Sequence, residues 1–449
     1  MVILTPSLRG RVLGSWPNVR YWLDRVLRQP AAWYAGFAVY AACVALFSGP
    51  GLDHWWGTWA ACGYAVAAAI AARWPGRNGQ LAAVGGAVAG ALVAPLTWLA
   101  TAEPSTPDVA VVARSGVLLL HHGTPYLPAT QLAHGGWLAY DPYLPVMALF
   151  GLPKGLGLPG ILGDPRPWLV AATFALLYAT LRIVVGRASA GRATPGRATP
   201  GRVTPGRATP GRGACAALAA FAIASPVMAF PLAMGITDPP IIALTCLSLA
   251  LLTRGSARVW QPAVVLGIAC AMKYTAWPAL AVIVVMIAAR DGARAAVKFA
   301  AITLATAAAL AVVLAPGALS SPASIIQNTV AYPLGLTTAR SPAASPLPGH
   351  LLSTLGPAGH GAALGLLAAA GLALAVSLVV APPRTPAQAA RRIALGLTAL
   401  FMLSPATRFG YFIYPLALYA WAAISTPRQP AVKVVTPDDI VGRQPELVC

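Results

Sequence analysis

The chain has 449 residues, of which 58% are hydrophobic and only 9% are charged. Soluble domains carry about 25% charged residues, so the composition excludes an ordinary soluble protein and predicts an all-α, polytopic membrane protein. The formal net charge of +20 comes from basic residues in short stretches between apolar segments, which is the pattern of cytoplasmic loops. We therefore expect membrane lipids, and not nucleic acid, as the partners of these charges.

The cysteines and residues 1–30 further restrict the class of protein. The six cysteines have no paired spacing and five lie inside apolar segments, so they predict small buried hydrophobic residues and not disulfides or metal ligands. Residues 1–30 carry five arginines around three aromatic residues, which predicts a cytoplasmic amphipathic lead-in on the inner membrane surface. We expect residues 31–425 to form a single membrane domain.

Three apolar segments predict the first membrane helices, at residues 32–48, 55–72 and 81–100. Because the N-terminus is expected inside, the third helix leads outward and residues 102–165 form an outer loop. This loop holds several of the few acids in the chain, namely Glu103, Asp108 and Asp141. Loops longer than about 12–15 residues without structure of their own are usually functional, so this loop is a candidate active site.

The end of that loop has two possible topologies. Residues 143–152 are apolar but too few to cross a bilayer comfortably. If they crossed, the arginine-rich tract after residue 185 would lie outside; if residues 141–165 only dip into the membrane, the tract stays inside. The distribution of basic residues favours the second topology, in which residues 168–185 form an inward helix.

Residues 186–213 contain an internal repeat, with arginines every five residues in the pattern RATPG. Proline and glycine in each copy prevent helix and sheet, so the tract predicts a disordered cytoplasmic loop. It could bind anionic lipid headgroups, although a tolerated linker is the favoured interpretation.

The remaining apolar segments complete a prediction of about twelve helices with both termini cytoplasmic. Residues 261–289 begin and end at basic loops, so they predict a hairpin of two short helices with Lys273 at the outer bend. Residues 315–360 form a second outer loop, and residues 426–449 form a disordered cytoplasmic tail. The other predicted helices are residues 215–232, 241–252, 299–314, 362–380, 393–403 and 412–424.

This topology places several polar residues on the outer side: Asp108, Asp238, Lys273, Arg408, His121, His122 and Tyr126. Ionisable residues at membrane depth usually mark a functional path or site. Each has a structural alternative: Asp108 and Asp238 could be a helix cap and a turn residue. The two cations and the histidines could be interfacial. No His, Cys or carboxylate spacing predicts a metal site, and no cofactor is expected.

Four short motifs resemble the GT-C type of membrane glycosyltransferase, and most closely family 87 with its uncharacterised actinobacterial relatives. They are Gly123–Tyr126, Tyr140–Pro145, Thr237–Pro239 and Leu266–Tyr274. In the second motif, Asp141 stands where the family has its first proline.

The resemblance implies that a sugar carried on polyprenyl phosphate reaches an extracytoplasmic cavity and is moved to an envelope glycan or glycolipid. Asp108 would act as general base and Asp238 would orient the acceptor or the sugar. Lys273 and Arg408 would bind the donor phosphate. Candidate contacts to the sugar or the acceptor are Tyr126, Tyr274, His121 and His122.

Two other functions use the same residues. A transporter or flippase for a lipid-linked glycan would bind the phosphate without chemistry, but transporters often have related halves with matching broken helices. The sequence predicts one broken pair, at Lys273, and no counterpart. An inactive membrane scaffold that retains the fold is the second alternative.

Overall fold

A computed structural model of the chain describes residues 29–49, 51–101, 106–132, 135–190, 212–255, 258–339 and 341–425. The described residues are helical apart from turns and one isolated bridge between Ala344 and Thr407, as the composition predicts. The amphipathic lead-in up to residue 28, Glu103, the centre of the RATPG tract and the C-terminal tail lie outside the described residues.

The main helices of the described residues number α1 to α14 in chain order. They are α1 Pro30–Phe47, α2 Leu52–Arg73, α3 Arg77–Thr101, α4 Pro107–His122, α5 Pro165–Ala190, α6 Arg212–Ala224, α7 Pro226–Met234, α8 Asp238–Leu252, α9 Trp260–Cys270, α10 Trp277–Asp291, α11 Ala293–Leu314, α12 Pro357–Val380, α13 Pro386–Leu403 and α14 Ile413–Ser425. Helix α3 contains a π-helical turn at Ala89–Val93.

Six of the described helices are long and apolar enough to cross a membrane: α1, α3, α5, α10 with its preceding turn, α11 and α12. A seventh span results if α6 and α7, which meet at an angle of 69° before Pro226, count as one broken helix. Proline at this position interrupts the helical hydrogen bonds and explains the bend. The protein is therefore a multi-pass membrane protein, whereas the number of about twelve crossings stays a prediction.

Between Asp141 and the start of α5 at Pro165 the helical segments are short, at Pro145–Gly151, Leu152–Gly155 and Gly160–Gly163. Their position is fixed by close packing on α4. A Cβ atom added to Gly116 would lie 2.0 Å from the carbonyl carbon of Gly151, so the two backbones touch at a distance that only glycine permits.

Helices α9 and α10 are separated by a break that contains Lys273. Ser248 donates a hydrogen bond to Pro262 O at 2.9 Å and Arg290 donates one to Leu252 O at 3.3 Å. Both ends of the α9–α10 segment therefore lie near the C-terminal end of α8. The chain runs away from that end and returns, with Lys273 at the far end.

Helix α8 is the centre of the fold. Nearly all of its residues are buried, and it contacts α5, α9, α13 and α14. Asp238 begins this helix, so the carboxylate is held within the protein and is shielded from lipid and water.

Candidate active site

One cavity of about 560 Å³ lies among the described residues where four segments meet. These segments are the start of α4, residues 137–145 (the motif loop), the break at Lys273, and the turn at residues 404–411 (the Arg408 turn). A fifth segment, residues 329–343, closes the cavity from the second long loop. The sequence predicted a function for the first four segments and none for the fifth.

Asp108 lies in the first turn of α4 and lines the cavity. The start of this helix is fixed by Thr106, whose hydroxyl donates to Met234 O at 2.7 Å. The Asp108 carboxylate accepts one hydrogen bond from Tyr143 Oη at 2.5 Å and another from Arg408 at 3.2 Å. Its side chain is 20% exposed. The carboxylate therefore contacts the cavity and two neighbouring polar side chains.

Lys273 forms the second acid–cation pair, with its Nζ atom 2.6 Å from Asp238 Oδ1. The Asp238 side chain is fully buried behind the lysine and also accepts a hydrogen bond from Tyr414 at 2.8 Å. The rings of Tyr143 and Tyr411 lie 5.4 and 5.3 Å from the ammonium, a distance at which aromatic rings attract a cation. Asp238, Tyr143 and Tyr411 therefore hold Lys273 at the cavity wall, and Tyr414 holds Asp238 in turn.

Arg408 is positioned by the second long loop. Backbone hydrogen bonds of 2.9 Å join Thr407 N to Ala343 O and Ser345 N to Thr407 O. The hydroxyl of Ser345 accepts a further bond of 3.1 Å from Phe409 N. The Arg408 turn is therefore attached to residues 343–345 on both sides of the arginine.

The motif loop contacts both Asp108 and the break that contains Lys273. Its Leu144 N atom donates to Met272 O at 2.9 Å, and Val146 N donates to Ala271 O at 3.1 Å, which ties the loop to the break before Lys273. Burial and the negative charge of Asp108 raise the pKa of Tyr143 well above its ordinary value. The Tyr143 hydroxyl therefore stays protonated and donates to Asp108.

Asp141 is a buried residue of the motif loop. Its carboxylate accepts a 2.9 Å hydrogen bond from Tyr143 N and lies 2.6 Å from Ser115 Oγ, while its backbone N donates to Asn328 at 2.7 Å. Burial raises its pKa to about 6, against the opposing effect of these hydrogen bonds and of Arg114. Asp141 thus connects α4, the motif loop and the second long loop.

Four of the predicted site residues line the cavity: Asp108, Lys273, Tyr274 and Arg408. Asp238 lies behind Lys273, and Tyr126 is buried with its hydroxyl donating to Tyr143 O at 2.9 Å. His121 and His122 are exposed at the C-terminal end of α4, outside the cavity lining. The predicted roles of these residues stay predictions.

Sequence reasoning missed most of the aromatic residues around the site. Tyr143 lies inside the Tyr140–Pro145 motif and Tyr411 follows Arg408 by three residues, but neither received a role. The short spacing from Arg408 to Tyr411 was the available signal. Tyr140 and Tyr332 stack at a centroid distance of 4.6 Å and both line the cavity. Nothing in the composition of the second long loop pointed to Tyr332.

The cavity combines a proton-accepting carboxylate with two cations, an arrangement suited to a ligand that carries a phosphate and a nucleophilic hydroxyl. Among the residues that the structure describes, no cluster of three or more His, Cys, Asp or Glu side chains could hold a metal ion.

A model of glycosyltransferase family 87 matches residues 142–405, which is more than half of the chain. The chain belongs to glycosyltransferase family 87. It is therefore a glycosyltransferase enzyme, and its apolar helices make it a membrane glycosyltransferase. Searches of curated proteins and of solved structures returned no match.

The family 87 match overlaps three of the four motifs and leaves out Gly123–Tyr126. It begins at Pro142 and includes Tyr143, Asp238 and Lys273, whereas Asp108 and Arg408 lie outside it. The structure places Asp108 and Arg408 at the same cavity as residues of the matched segment.

Proposed function

We propose that this family 87 enzyme transfers a sugar from a polyprenyl-phosphate donor to an envelope glycan or glycolipid on the extracytoplasmic face. Asp108 acts as the general base. The observation that carries the proposal is that Asp108, Lys273 and Arg408 line one cavity, although they come from parts of the chain up to 300 residues apart.

The chemistry follows from the charges around the cavity. The oxygen of an acceptor hydroxyl forms a bond to the anomeric carbon while the bond from that carbon to the phosphate oxygen breaks. The hydroxyl proton passes to Asp108, and the leaving polyprenyl phosphate keeps the bonding electron pair. General-base assistance of this kind is worth about 10²–10⁴-fold. Lys273 and Arg408 stabilise the charge that the phosphate gains.

The two carboxylates take different roles in this proposal. Asp108 lines the cavity and can reach a bound hydroxyl, whereas the buried Asp238 contacts Lys273 and Tyr414. Asp238 therefore positions the phosphate-binding lysine. Tyr274, whose side chain is exposed at the cavity, is the best placed of the predicted sugar-stacking residues.

The lipid part of the donor has an apolar wall available. Pro278, Leu367, Leu400 and Phe401 line the cavity from α10, α12 and α13, and α10 and α12 are membrane-spanning candidates. A prenyl chain that enters between these helices would leave its phosphate near the two cations and its sugar near Asp108.

The function is tested with purified protein in liposomes, a panel of radiolabelled polyprenyl-phosphate sugars and a panel of envelope glycolipids. The proposal expects a labelled glycolipid product from at least one donor. Movement of an intact donor between leaflets without any product would contradict it and would favour a flippase.

The membrane face is tested by labelling. Ser341 lines the cavity and is part exposed, so a Ser341→Cys variant presents a thiol there. In a background in which all six native cysteines are replaced by alanine, a membrane-impermeant maleimide should label the Ser341→Cys variant in intact cells and should not label the cysteine-free parent. Labelling only after the cells are broken would place the cavity on the cytoplasmic face.

A further inference from the structure

Both cations at the cavity already have carboxylate partners. Lys273 lies 2.6 Å from Asp238, and Arg408 lies 3.2 Å from Asp108. These are the lysine and the arginine that line the cavity among the described residues. A lipid phosphate that enters must therefore either bind beside two neutralised cations or take one cation from its carboxylate.

The two pairs differ in how easily they separate. The Asp238 carboxylate is 0% exposed, and removal of its lysine would leave an unpaired charge inside the protein, which is strongly unfavourable. The Asp108 and Arg408 side chains are 20% and 31% exposed at a longer distance. Exposed pairs of this kind contribute little to stability because water screens them.

We propose that Arg408 exchanges Asp108 for the donor phosphate, so that donor binding releases the base. This inference rests on the proposed function, since it assigns a binding order to the same site. Tyr143 keeps its hydrogen bond to Asp108 during the exchange because its hydroxyl contacts the other carboxylate oxygen. The carboxylate thus stays in place while its second oxygen becomes available for the acceptor hydroxyl.

The exchange has an unusual consequence for binding. If Asp108 competes with phosphate for Arg408, removal of the carboxylate charge should strengthen phosphate binding even though it removes the base. A double-mutant cycle with Arg408 separates this competition from a general electrostatic effect, because without the arginine there is nothing to compete for.

The experiment measures binding of farnesyl phosphate to the full-length protein in detergent by microscale thermophoresis, with farnesol as the uncharged control ligand. Asp108→Asn and Asp108→Ser should each bind farnesyl phosphate about threefold to tenfold more tightly than the native protein, as expected when Arg408 is released from a partly exposed ion pair. In an Arg408→Gln background the same substitutions should give clearly less tightening, because only the repulsion between the carboxylate and the phosphate is then removed.

Asp291→Asn is the matched control, because Asp291 pairs with Arg290 at 2.7 Å and lies outside the cavity lining. It removes the same charge and should leave binding unchanged.

Weaker or unchanged binding in both Asp108 variants, or equal tightening in the Arg408→Gln background, would overturn the exchange. Failure of native and variant proteins to bind farnesyl phosphate would overturn the proposed function and this inference together. The expected binding pattern without sugar transfer would leave the exchange standing and would contradict only the proposed donor and acceptor.

Discussion

Tyr143 connects the two acid–cation pairs of the cavity. Its hydroxyl donates to Asp108 at 2.5 Å, and its ring lies 5.4 Å from Lys273 Nζ. A single side chain from the motif loop therefore contacts both the proposed base and the proposed phosphate-binding lysine. The motif loop therefore sets the distance between the Asp108 carboxylate and the Lys273 ammonium.

Substitution of Tyr143 by phenylalanine should separate the two contacts. The ring remains beside Lys273, while the hydrogen bond to Asp108 is lost. Hydrogen bonds to charged groups contribute about 1.5–3 kcal/mol, so we expect kcat for sugar transfer to fall by about 10-fold to 100-fold with little change in donor binding.

Tyr178→Phe is the control for the tyrosine substitution, since the Tyr178 hydroxyl contacts Arg182 on α5 and should not affect transfer. Native kcat in Tyr143→Phe would show that the hydroxyl does not position Asp108.

Lys273→Met should destabilise the protein, because it leaves the buried Asp238 carboxylate without its cation. Breaking a buried pair in this way costs about 3–5 kcal/mol. The double variant Lys273→Met/Asp238→Asn removes both charges and should recover most of the stability while it remains inactive. Thermal unfolding in detergent and the transfer assay measure the two effects. Native transfer by the double variant would contradict a role for Lys273 in phosphate binding.

Gly116→Ala should disrupt the contact between α4 and the segment after the motif loop. The added Cβ atom would lie 2.0 Å from the carbonyl carbon of Gly151, and such overpacking costs about 1–3 kcal/mol. We expect lower thermal stability and lower transfer.

Gly85→Ala in α3 is the control for this substitution, because its Cβ atom meets no neighbour within 4 Å. A helix-interior alanine there should be neutral or stabilising. Equal effects of the two substitutions would show that the Gly116 contact is unimportant.

Asp141 should make stability depend on pH. Burial raises its folded-state pKa from 3.8 to about 6, so between these two values the folded state binds more protons than the unfolded state. Stability from this group is therefore present at low pH and decreases as pH rises through that window.

Asp141→Asn imitates the protonated acid and should remove this dependence. The variant should be more stable than the native protein at pH 7.5, by at most about 3 kcal/mol, and the difference should shrink as pH falls and vanish below the unfolded-state pKa of 3.8. Unfolding temperatures measured across this range provide the comparison. A constant difference between the two proteins at all pH values would contradict the assignment to Asp141.

Composition and the distribution of arginines were sufficient to predict an all-helical membrane protein. They also predicted a break at Lys273, because a segment of residues 261–289 with basic loops at both ends cannot be one crossing. The number of membrane crossings could not be obtained from the hydropathy of the sequence. The bend at Pro226 and the short helix α8 change the length of apolar helices without any change in hydropathy.

The candidate site was only partly accessible from the sequence. Asp108, Lys273 and Arg408 stand out because charges are rare in this chain, and the structure places all three at one cavity. Tyr143, Tyr332 and Tyr414 do not stand out, because their contacts depend on how distant loops and helices pack. The burial of Asp238 behind Lys273 likewise follows from the position of α8 at the centre of the fold.

Asp108 is the proposed base for sugar transfer. The transfer assay tests this role when native protein is compared with Asp108→Asn while farnesyl phosphate binding is followed in parallel. We expect transfer to fall by about 10²–10⁴-fold while phosphate binding persists. Transfer by the variant at a rate close to that of the native protein would show that Asp108 is not the base.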